Sequence, residues 1–312
     1  MKLLTFSTPQ SSPRPGLLLP NDWVLPLPFD GMLELIEAGA PALEHLRTLE
    51  ARHTPQAQAD SLSGGYRLSE VSLHPPLPNP PSLRDFYAFE QHVATANANR
   101  GRKVPAEWYE IPVFYFSNHM ALFGPDAPIQ RPRACRALDY ELEVACIIGK
   151  GGRDISPERA EAHIFGYTIF NDWSARDLQA QEMRVGLGPA KGKDFASSFG
   201  PVIVTPDELT DRHTRRPGVY RLQMTARVNG VERSRGNFAD LHYSFGEMIA
   251  RASADVTLHP GEILGSGTVG TGCLLELTHF QGPWLADGDV VELEIERIGI
   301  LRNRVTSPTP SA

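Results

Sequence analysis

The chain of 312 residues is poor in cysteine and has no long hydrophobic run. Its three cysteines, Cys135, Cys146 and Cys273, are far apart and form no CxxC pair, which argues against a disulfide framework and a zinc site and predicts buried thiols. No stretch approaches the roughly 20 apolar residues of a membrane helix, and Pro9 and polar residues interrupt the start before a signal-peptide core could form. We therefore expect a cytoplasmic protein with no membrane partner.

The chain also has no excess of positive charge. It has 30 Lys and Arg residues against 37 Asp and Glu residues, a formal charge of −7, which argues against nucleic acid as a partner. A hydrophobic content of 41% excludes a disordered chain. The 27 glycines and 27 prolines favour many short strands and turns over a helical bundle.

A proline-rich segment at 74–81 divides the chain. Before it, short apolar runs predict strands at 2–6 and 23–27 and a helix at 31–52, so residues 1–80 are expected to form a small N-terminal domain with its linker. Residues 81–306 are expected to form a larger, β-rich domain of the α+β class, and residues 307–312 a frayed tail.

Periodicity and capping residues predict the elements of the larger domain. Helices are expected at 83–99 with Ser82 as N-cap, at 172–183 with Asn171 as N-cap, and at 245–252. A hairpin is expected at 221–235, turning at Asn229-Gly230. Further strands are expected at 138–149, 164–170, 262–268, 273–278, 290–298 and 300–305.

Two segments look like nucleotide-binding motifs but lack the required context. The run 265–270 has the G-x-G-x-x-G pattern, yet a dinucleotide site needs a helix after it, and 273–278 is expected to be a strand. The run 188–194 is one residue too short for a phosphate-binding loop and has Asp194 where Ser or Thr is required. G-x-S-x-G and H-E-x-x-H motifs are absent, so the common signatures of serine hydrolases and zinc peptidases are missing.

Two glutamates, Glu141 and Glu143, alternate on the strand predicted at 138–149 and so share one face, where they could hold one hard divalent cation. The same alternation recurs in the strand at 290–298, at Glu292, Glu294 and Glu296, where a solvated outer face is the simpler account. The pair therefore indicates a metal site only in the company of other residues.

Helical spacing places other polar residues together. On the helix predicted at 172–183, Asp172, Arg176 and Gln179 share one stripe, and the spacing of seven between Asp85 and His92 puts both on one face of the helix at 83–99. Each pattern also has an ordinary structural explanation, an intrahelical ion pair or a partly buried histidine.

Taken together, five segments of the chain resemble the fumarylacetoacetate hydrolase family. They span about 85–300 and are Asp85-Phe86-Tyr87 with Gln91-His92, Leu138-Asp139-Tyr140-Glu141-Leu142-Glu143, Asn171-Asp172-Trp173-Ser174-Ala175-Arg176-Asp177, Gly192-Lys193-Asp194-Phe195 and Ser266-Gly267-Thr268. The resemblance implies a mixed β-roll catalytic domain, a homodimer, and a divalent cation, Mg²⁺, Mn²⁺ or Ca²⁺, held by acidic side chains.

The resemblance also implies a role for each matched residue. The metal ligands would be Asp85, Glu141, Glu143 and Asp172. The catalytic residues would be His92 as the base that activates water, Glu276 as its orienting carboxylate, and Arg176, Gln179 and Lys193 as oxyanion donors, although a mobile surface lysine is the default for Lys193. The substrate contacts would be Tyr87, Arg100 (or its neighbour Arg102), Tyr115, Met183 and Thr268.

The implied reaction is metal-dependent hydrolysis of a carbon–carbon bond in a 1,3-diketone acid. Met183 and Ser197 replace a tyrosine and a threonine of the enzymes specific for fumarylacetoacetate, so fumarylpyruvate and other acylpyruvates are also open as substrates. One alternative is another reaction of the family, isomerisation of 2-hydroxyhepta-2,4-diene-1,7-dioate or decarboxylation or tautomerisation of a 2-oxo acid. Another is a non-catalytic binding module stabilised by a metal.

Overall fold

The computed structural model describes residues 1–308 and is rich in β-sheet, as the sequence predicts. With strands numbered along the chain, the largest sheet contains β1 (Lys2–Ser7), β2 (Arg14–Leu19), β3 (Trp23–Pro26), β4 (Tyr66–Arg67), β5 (Ser72–His74), β6 (Leu83–Phe86), β7 (Phe114–Phe116), β8 (Leu122–Phe123), β11 (Leu142–Ile148), β12 (Ile164–Asp172), β14 (Ser197–Val204) and β17 (Ile263–Gly265). Its order is β4-β3-β2-β1-β14-β12-β11-β17-β6-β7, with β5 paired to β1 and β8 to β14. β4 and β7 are the two edges of this strand order, so the sheet is open and does not close into a barrel.

A second sheet lies apart from this path in hydrogen bonding. Its order is β16 (Val231–Asn237), β15 (Gln223–Val228), β18 (Val290–Ile295), β19 (Gly299–Thr306) and β9 (Pro128–Gln130). Two short strands, β10 (Leu138–Asp139) and β13 (Ser174–Ala175), pair with each other. The predicted hairpin is confirmed, because β15 and β16 are antiparallel and Asn229 and Gly230 both have positive φ.

The helices are short except for one. The α-helices are α1 (Met32–Glu37), α2 (Gly39–Gln58), α3 (Glu90–Ala98), α4 (Arg176–Val185), α5 (Phe245–Ser253) and α6 (Leu274–Leu277). Segments of 3-10 helix span Pro20–Asp22, Leu68–Glu70, Ala106–Tyr109, Pro157–His163, Pro206–Arg212 and Phe238–Asp240. Among the described residues, no helix has both the length and the apolar character to cross a membrane.

The central strands of the large sheet are buried on both faces. Along β11, Val144 and Cys146 belong to one hydrophobic core and Ala145 and Ile147 to the other. The whole of β11 is buried, which explains why its sequence merges into an uninterrupted apolar run. The three cysteines are buried and free, as predicted.

Residues 1–80 contribute to the same sheet as the rest of the chain. β1 is antiparallel to β14, with Lys2 opposite Val204, and α1 and α2 pack on the second core. The division at residue 80 stays a prediction. Of the predicted tail, Ser307 donates a hydrogen bond to Asp287, and residues 309–312 lie outside the described part.

Three predicted elements near the site are wrong. Residues 83–86 form a buried strand between β17 and β7, and the helix begins only at Glu90, because pairing with two strands overrides the local helical pattern. The helix predicted at 172–183 begins at Arg176, because β12 continues through Asp172 opposite Ser197. The strand predicted at 273–278 is the four-residue helix α6.

Candidate functional site

A cavity of about 860 Å³ lies beside β6, β11 and α4 and brings together most of the residues singled out in the sequence. Its walls include Asp85, Tyr87, His92, Arg100, Tyr115, Glu141, Glu143, Arg176, Gln179, Met183, Lys193 and Thr268. Two predicted residues, Asp172 and Glu276, are buried behind the wall and reach it through Lys193 and His92.

Four carboxylates at one end of the cavity form what we call the acidic cluster: Asp85, Glu141, Glu143 and Asp172. One oxygen atom from each lies within 4.8 Å of the others, and all four side chains are buried. The sheet order explains why they meet. Asp172 ends β12, Glu143 lies on the adjacent β11, and Asp85 lies on β6, with only β17 between the last two.

Glycines of the segment 265–267 make room for this cluster. Gly265 on β17 pairs with Asp85, and a Cβ atom at Gly265 would lie 2.5 Å from Asp85 Oδ1. Gly267 has φ +76° and donates its backbone N–H to Asp85 Oδ1 at 3.2 Å and to Glu143 Oε2 at 3.0 Å. The G-x-G-x-x-G pattern was therefore the available signal for two site residues that the sequence analysis missed. With α6 a short helix and this N–H directed at carboxylates, the segment does not suit a pyrophosphate.

Two buried cationic side chains, Lys193 and Arg176, contact the acidic cluster. Lys193 Nζ donates to Glu141 Oε2 and Asp172 Oδ2, each at 2.5 Å, so Lys193 is not the mobile surface lysine that its loop suggests. Arg176 Nη2 donates to Glu141 Oε1 at 2.7 Å. Burial acts to raise the pKa of Glu141, but the charges of Arg176 and Lys193 outweigh it and hold that pKa below its ordinary value. Glu141 is therefore ionised.

The other half of the acidic cluster consists of Asp85 and Glu143. Within residues 1–308, neither Asp85 nor Glu143 forms an ion pair, and burial, followed by neighbouring carboxylates, raises the pKa of both groups well above ordinary values. Asp172 Oδ1 is buried without a hydrogen-bond partner in the same part of the chain. The surplus of buried carboxyl groups over cationic side chains, together with the all-oxygen donor set, fits a hard divalent cation such as Mg²⁺, Mn²⁺ or Ca²⁺.

His92 and Glu276 form a dyad on the cavity wall. Nδ1 of His92, on α3, is hydrogen-bonded to Oε1 of Glu276, on α6, and Glu276 Oε2 accepts the backbone N–H of Thr271 at 2.6 Å. An ionised carboxylate only accepts hydrogen bonds, so this pairing favours the neutral tautomer that has its proton on Nδ1 and an acceptor at Nε2. The Tyr87 ring meets the His92 ring edge-on at 5.2 Å. A histidine held by a carboxylate in this way can act as a general base.

The two helical stripes that suggested this site are not present as predicted. Asp172 lies on a strand, so only Arg176 and Gln179 share α4, where Arg176 Nη1 donates to Gln179 Oε1 at 3.1 Å. Asp85 lies on β6 and His92 on α3. These residues meet because the chain folds them to one cavity, and not through helical spacing.

Two of the predicted substrate contacts also bind the acidic cluster. Tyr115 donates its hydroxyl to Asp172 Oδ2 at 2.5 Å, and Thr268 Oγ1 donates to Glu143 Oε1 at 3.4 Å. Met183 lies at the cavity rim and is 53% exposed. Ser197 is buried opposite Asp172 in the sheet.

The outer part of the cavity is basic. Arg100, Arg102 and Arg184 line it, and none of them forms an ion pair with a described carboxylate. The Arg100 guanidinium lies over the Phe280 ring, 5.3 Å from its centroid. The cavity thus has an acidic inner end and a basic outer end.

Known proteins are similar to this chain over most of its length. Residues 82–306 match the family model described as fumarylacetoacetate (FAA) hydrolase C-terminal. The chain is 32% identical to "Oxaloacetate tautomerase YisK" of Bacillus subtilis over 280 residues, 88% of this chain and 86% of that protein. It is 30% identical to "Fumarylacetoacetase fahA" of Aspergillus fumigatus over 289 residues, 72% of this chain and 67% of that protein.

A solved structure shares the architecture. Maleylpyruvate hydrolase from Sphingobium sp. SYK-6, in complex with manganese(II) ion and pyruvate, aligns with a TM-score of 0.71 and 25% identity, covering 99% of this chain and all of that one.

Proposed function

The chain belongs to the fumarylacetoacetate hydrolase family, and from this premise we propose that it is a divalent-metal-dependent hydrolase that cleaves a carbon–carbon bond in a 1,3-diketo acid. The observation that carries the proposal is the His92–Glu276 dyad, which opens on the same cavity as the acidic cluster. A hydrolase needs a base for water, and this pair supplies one.

The acidic cluster would hold the cation through Asp85, Glu141, Glu143 and Asp172. A bound Mg²⁺, Mn²⁺ or Ca²⁺ ion supplies Lewis-acid stabilisation of negative charge on substrate oxygens. The manganese(II) complex of the Sphingobium maleylpyruvate hydrolase supports this expectation, since that enzyme has the same architecture.

His92 carries out the proton transfers in this proposal. Nε2 takes a proton from water as the water oxygen bonds to a carbonyl carbon of the substrate. When the carbon–carbon bond breaks, its electron pair stays on the departing carbon, which receives the proton from His92. Glu276 keeps the ring in the correct tautomer and stabilises its positive charge between the two steps.

Arg176 and Lys193 still have donors for an oxyanion. Arg176 uses three of its five N–H groups on Asp139, Glu141 and Gln179, and Lys193 uses two of its three on the acidic cluster. The remaining N–H groups are held in a buried place, where donors directed at developing charge are most effective.

The basic outer end favours a substrate with a second carboxylate. Arg100, Arg102 and Arg184 have no anionic partner in the described chain, and a distal carboxylate would supply one. We therefore expect fumarylpyruvate and fumarylacetoacetate to be better substrates than acetylpyruvate. A homodimer and a cytoplasmic location stay predictions.

A substrate panel tests the proposal. Fumarylacetoacetate, fumarylpyruvate and acetylpyruvate would be supplied with Mn²⁺ or with a chelator, and loss of the enol–diketone absorbance would be followed together with ¹⁸O incorporation from labelled water. We expect metal-dependent cleavage into two acids, ¹⁸O in one of them, and loss of activity in His92→Ala. The matched control is His163→Ala, since His163 is a buried histidine outside the cavity whose ring bonds the Lys150 carbonyl. Retained hydrolysis in His92→Ala would contradict the role of the dyad.

Tautomerisation of oxaloacetate is the second candidate. It is favoured by the 32% identity to a relative of that name over 88% of the chain. This reaction moves a proton between carbon and oxygen and takes up no water oxygen, so oxaloacetate belongs in the same panel. Rapid enol–keto exchange of oxaloacetate without ¹⁸O-labelled cleavage of any diketo acid would replace the hydrolase proposal. Isomerisation of a dienol, or loss of CO₂ from a 2-oxo acid, in place of ¹⁸O-labelled cleavage would also replace the hydrolase proposal.

A further inference from the structure

A further buried carboxylate, Asp139, contacts both Arg176 and the helix that carries Glu276. It lies on β10, is fully buried, and does not line the cavity. Its Oδ2 accepts hydrogen bonds from Arg176 Nε at 2.9 Å and from the backbone N–H of Leu275 at 3.0 Å. Its Oδ1 accepts the backbone N–H groups of Leu274 at 2.8 Å and of Tyr140 at 2.9 Å. Each oxygen atom therefore has two donors.

On one side, Asp139 fixes the direction of the Arg176 side chain. Arg176 Nε is held by Asp139, while Nη2 reaches Glu141 and Nη1 reaches Gln179. A planar guanidinium in which each of the three nitrogen atoms donates a hydrogen bond has one orientation. Asp139 thereby directs the free N–H groups of Arg176 into the cavity.

On the other side, Asp139 anchors the helix that carries Glu276. α6 has only four residues, Leu274 to Leu277, and a helix of this length is not stable by itself. Its first two N–H groups have no partner within the helix, and Asp139 accepts both. The next residue is Glu276, whose Oε1 holds His92.

We infer that Asp139 is a positioning residue that sets the Arg176 guanidinium and the His92–Glu276 dyad in one mutual arrangement. Its relation to catalysis rests on the proposed function, whereas its relation to the dyad is a statement about geometry alone. The sequence placed Asp139 next to the Glu141 motif but assigned it no role, because its partners come from segments 37 and 135 residues away.

Asp139→Asn is the direct test. The amide has nearly the same size, but its NH₂ group cannot accept a hydrogen bond. In one orientation this group faces Arg176 Nε and the Leu275 N–H, and in the other it faces the N–H groups of Leu274 and Tyr140. We expect kcat to fall about 10- to 100-fold, the range seen when a group behind a site residue is lost, with a smaller change in KM. We also expect the ¹⁵N signal of His92 Nδ1, assigned by comparison with His92→Ala, to shift as its hydrogen bond to Glu276 is loosened.

Glu262→Gln is the matched control. Glu262 is also a buried carboxylate that binds an arginine, Arg84, and a backbone N–H, that of His259, but it lies outside the cavity. It should change the melting temperature while leaving kcat per folded molecule and the His92 signal as in the unmodified protein.

Three outcomes would overturn the inference. One is an unchanged His92 signal in folded Asp139→Asn. Another is a kcat within twofold of the unmodified enzyme. The third is an equal loss of kcat in Glu262→Gln. If Asp139→Asn does not fold, Asp139→Glu, which displaces the carboxylate by one methylene, carries the same expectations. If no substrate is turned over, the proposed function fails, and the His92 signal still decides the role of Asp139.

Discussion

Gly265 and Asp85 are opposite each other on neighbouring strands, and the glycine leaves a space that the aspartate carboxylate occupies. A Cβ atom at Gly265 would lie 2.5 Å from Asp85 Oδ1 and 2.8 Å from the Phe170 ring. The position of the Asp85 carboxylate in the acidic cluster therefore depends on there being no side chain at position 265.

We expect Gly265→Ala to weaken divalent cation binding at least tenfold, because the new methyl group displaces the Asp85 carboxylate. Mn²⁺ binding measured by calorimetry checks this, with Gly31→Ala as control. Gly31 has an extended backbone, φ −162°, and a methyl group added there would meet no atom within 4 Å. Unchanged Mn²⁺ affinity in Gly265→Ala would show that Asp85 is not a ligand.

Removal of the Arg176 side chain should affect both activity and stability. Arg176→Ala takes away an oxyanion donor, for which a loss of about 10²- to 10³-fold in kcat is expected. It also leaves the buried Asp139 carboxylate without its cation, and Glu141 with Lys193 alone, which costs about 3 to 5 kcal/mol in the free energy of unfolding. Turnover per folded molecule, with the folded fraction from urea unfolding, separates the two effects.

The control for that experiment is Arg84→Ala, which removes another buried arginine from a carboxylate, Glu262, outside the cavity. It should lower stability and leave turnover per folded molecule nearly unchanged. A near-normal kcat in Arg176→Ala would remove Arg176 from the mechanism.

The stability of the metal-free protein should fall as the pH rises. The pKa values of Asp85 and Glu143 are raised by burial above their ordinary values of 3.8 and 4.5, so the folded chain holds these protons more tightly than the unfolded chain does. This contribution is complete below about pH 4 and is lost as the pH rises through the raised values of the folded state. A divalent cation replaces the protons.

Thermal unfolding from about pH 5 to about pH 8, with chelator and with Mn²⁺, measures this effect. We expect the increase in Tm caused by Mn²⁺ to grow with pH. An increase that is the same at every pH would show that Asp85 and Glu143 are already ionised without the cation.

Arg100 should act on the distal carboxylate of the substrate. Arg100→Ala is expected to raise KM for fumarylpyruvate about tenfold, equivalent to about 1.4 kcal/mol for a partly solvated charged hydrogen bond, with kcat little changed. Acetylpyruvate, which has no distal carboxylate, should show no such change. The matching Arg102→Ala variant decides which arginine makes the contact. If KM for fumarylpyruvate is the same in both variants as in the unmodified enzyme, these arginines do not bind a distal carboxylate.

Local pattern was sufficient to predict several elements of this fold. The Asn229-Gly230 hairpin, the helix after Ser244 and the outward alternation of Glu294 and Glu296, which pair with Arg227 and Arg212, all follow from short-range preferences. These elements satisfy their backbone hydrogen bonds locally or with the next strand, so sequence and structure agree.

Local pattern failed where a distant strand supplied the hydrogen bonds. Residues 83–86 have a sequence compatible with a helix, but β17 and β7 pair with both of their edges. Asp172 has helical spacing to Arg176, but pairing with β14 extends its strand. Both errors occur at the site, where the chain gives up local preference for a position in the large sheet.

The sequence alone determined which chemical groups are available: two glutamates in E-x-E spacing, further acidic residues, a histidine, a lysine and an arginine in an order that resembles one family. The strand predicted at 138–149 is interrupted, so that Glu143 lies on β11 and Glu141 just before it. Only the tertiary structure decided which of them meet. Strand order brings Asp85 next to Glu143, and the Asp139 hydrogen bonds bring Arg176 next to the helix of Glu276. The physical reason is that periodicity fixes only the direction of a side chain from its own element, whereas the burial of four carboxylates requires partners from segments far apart in the chain.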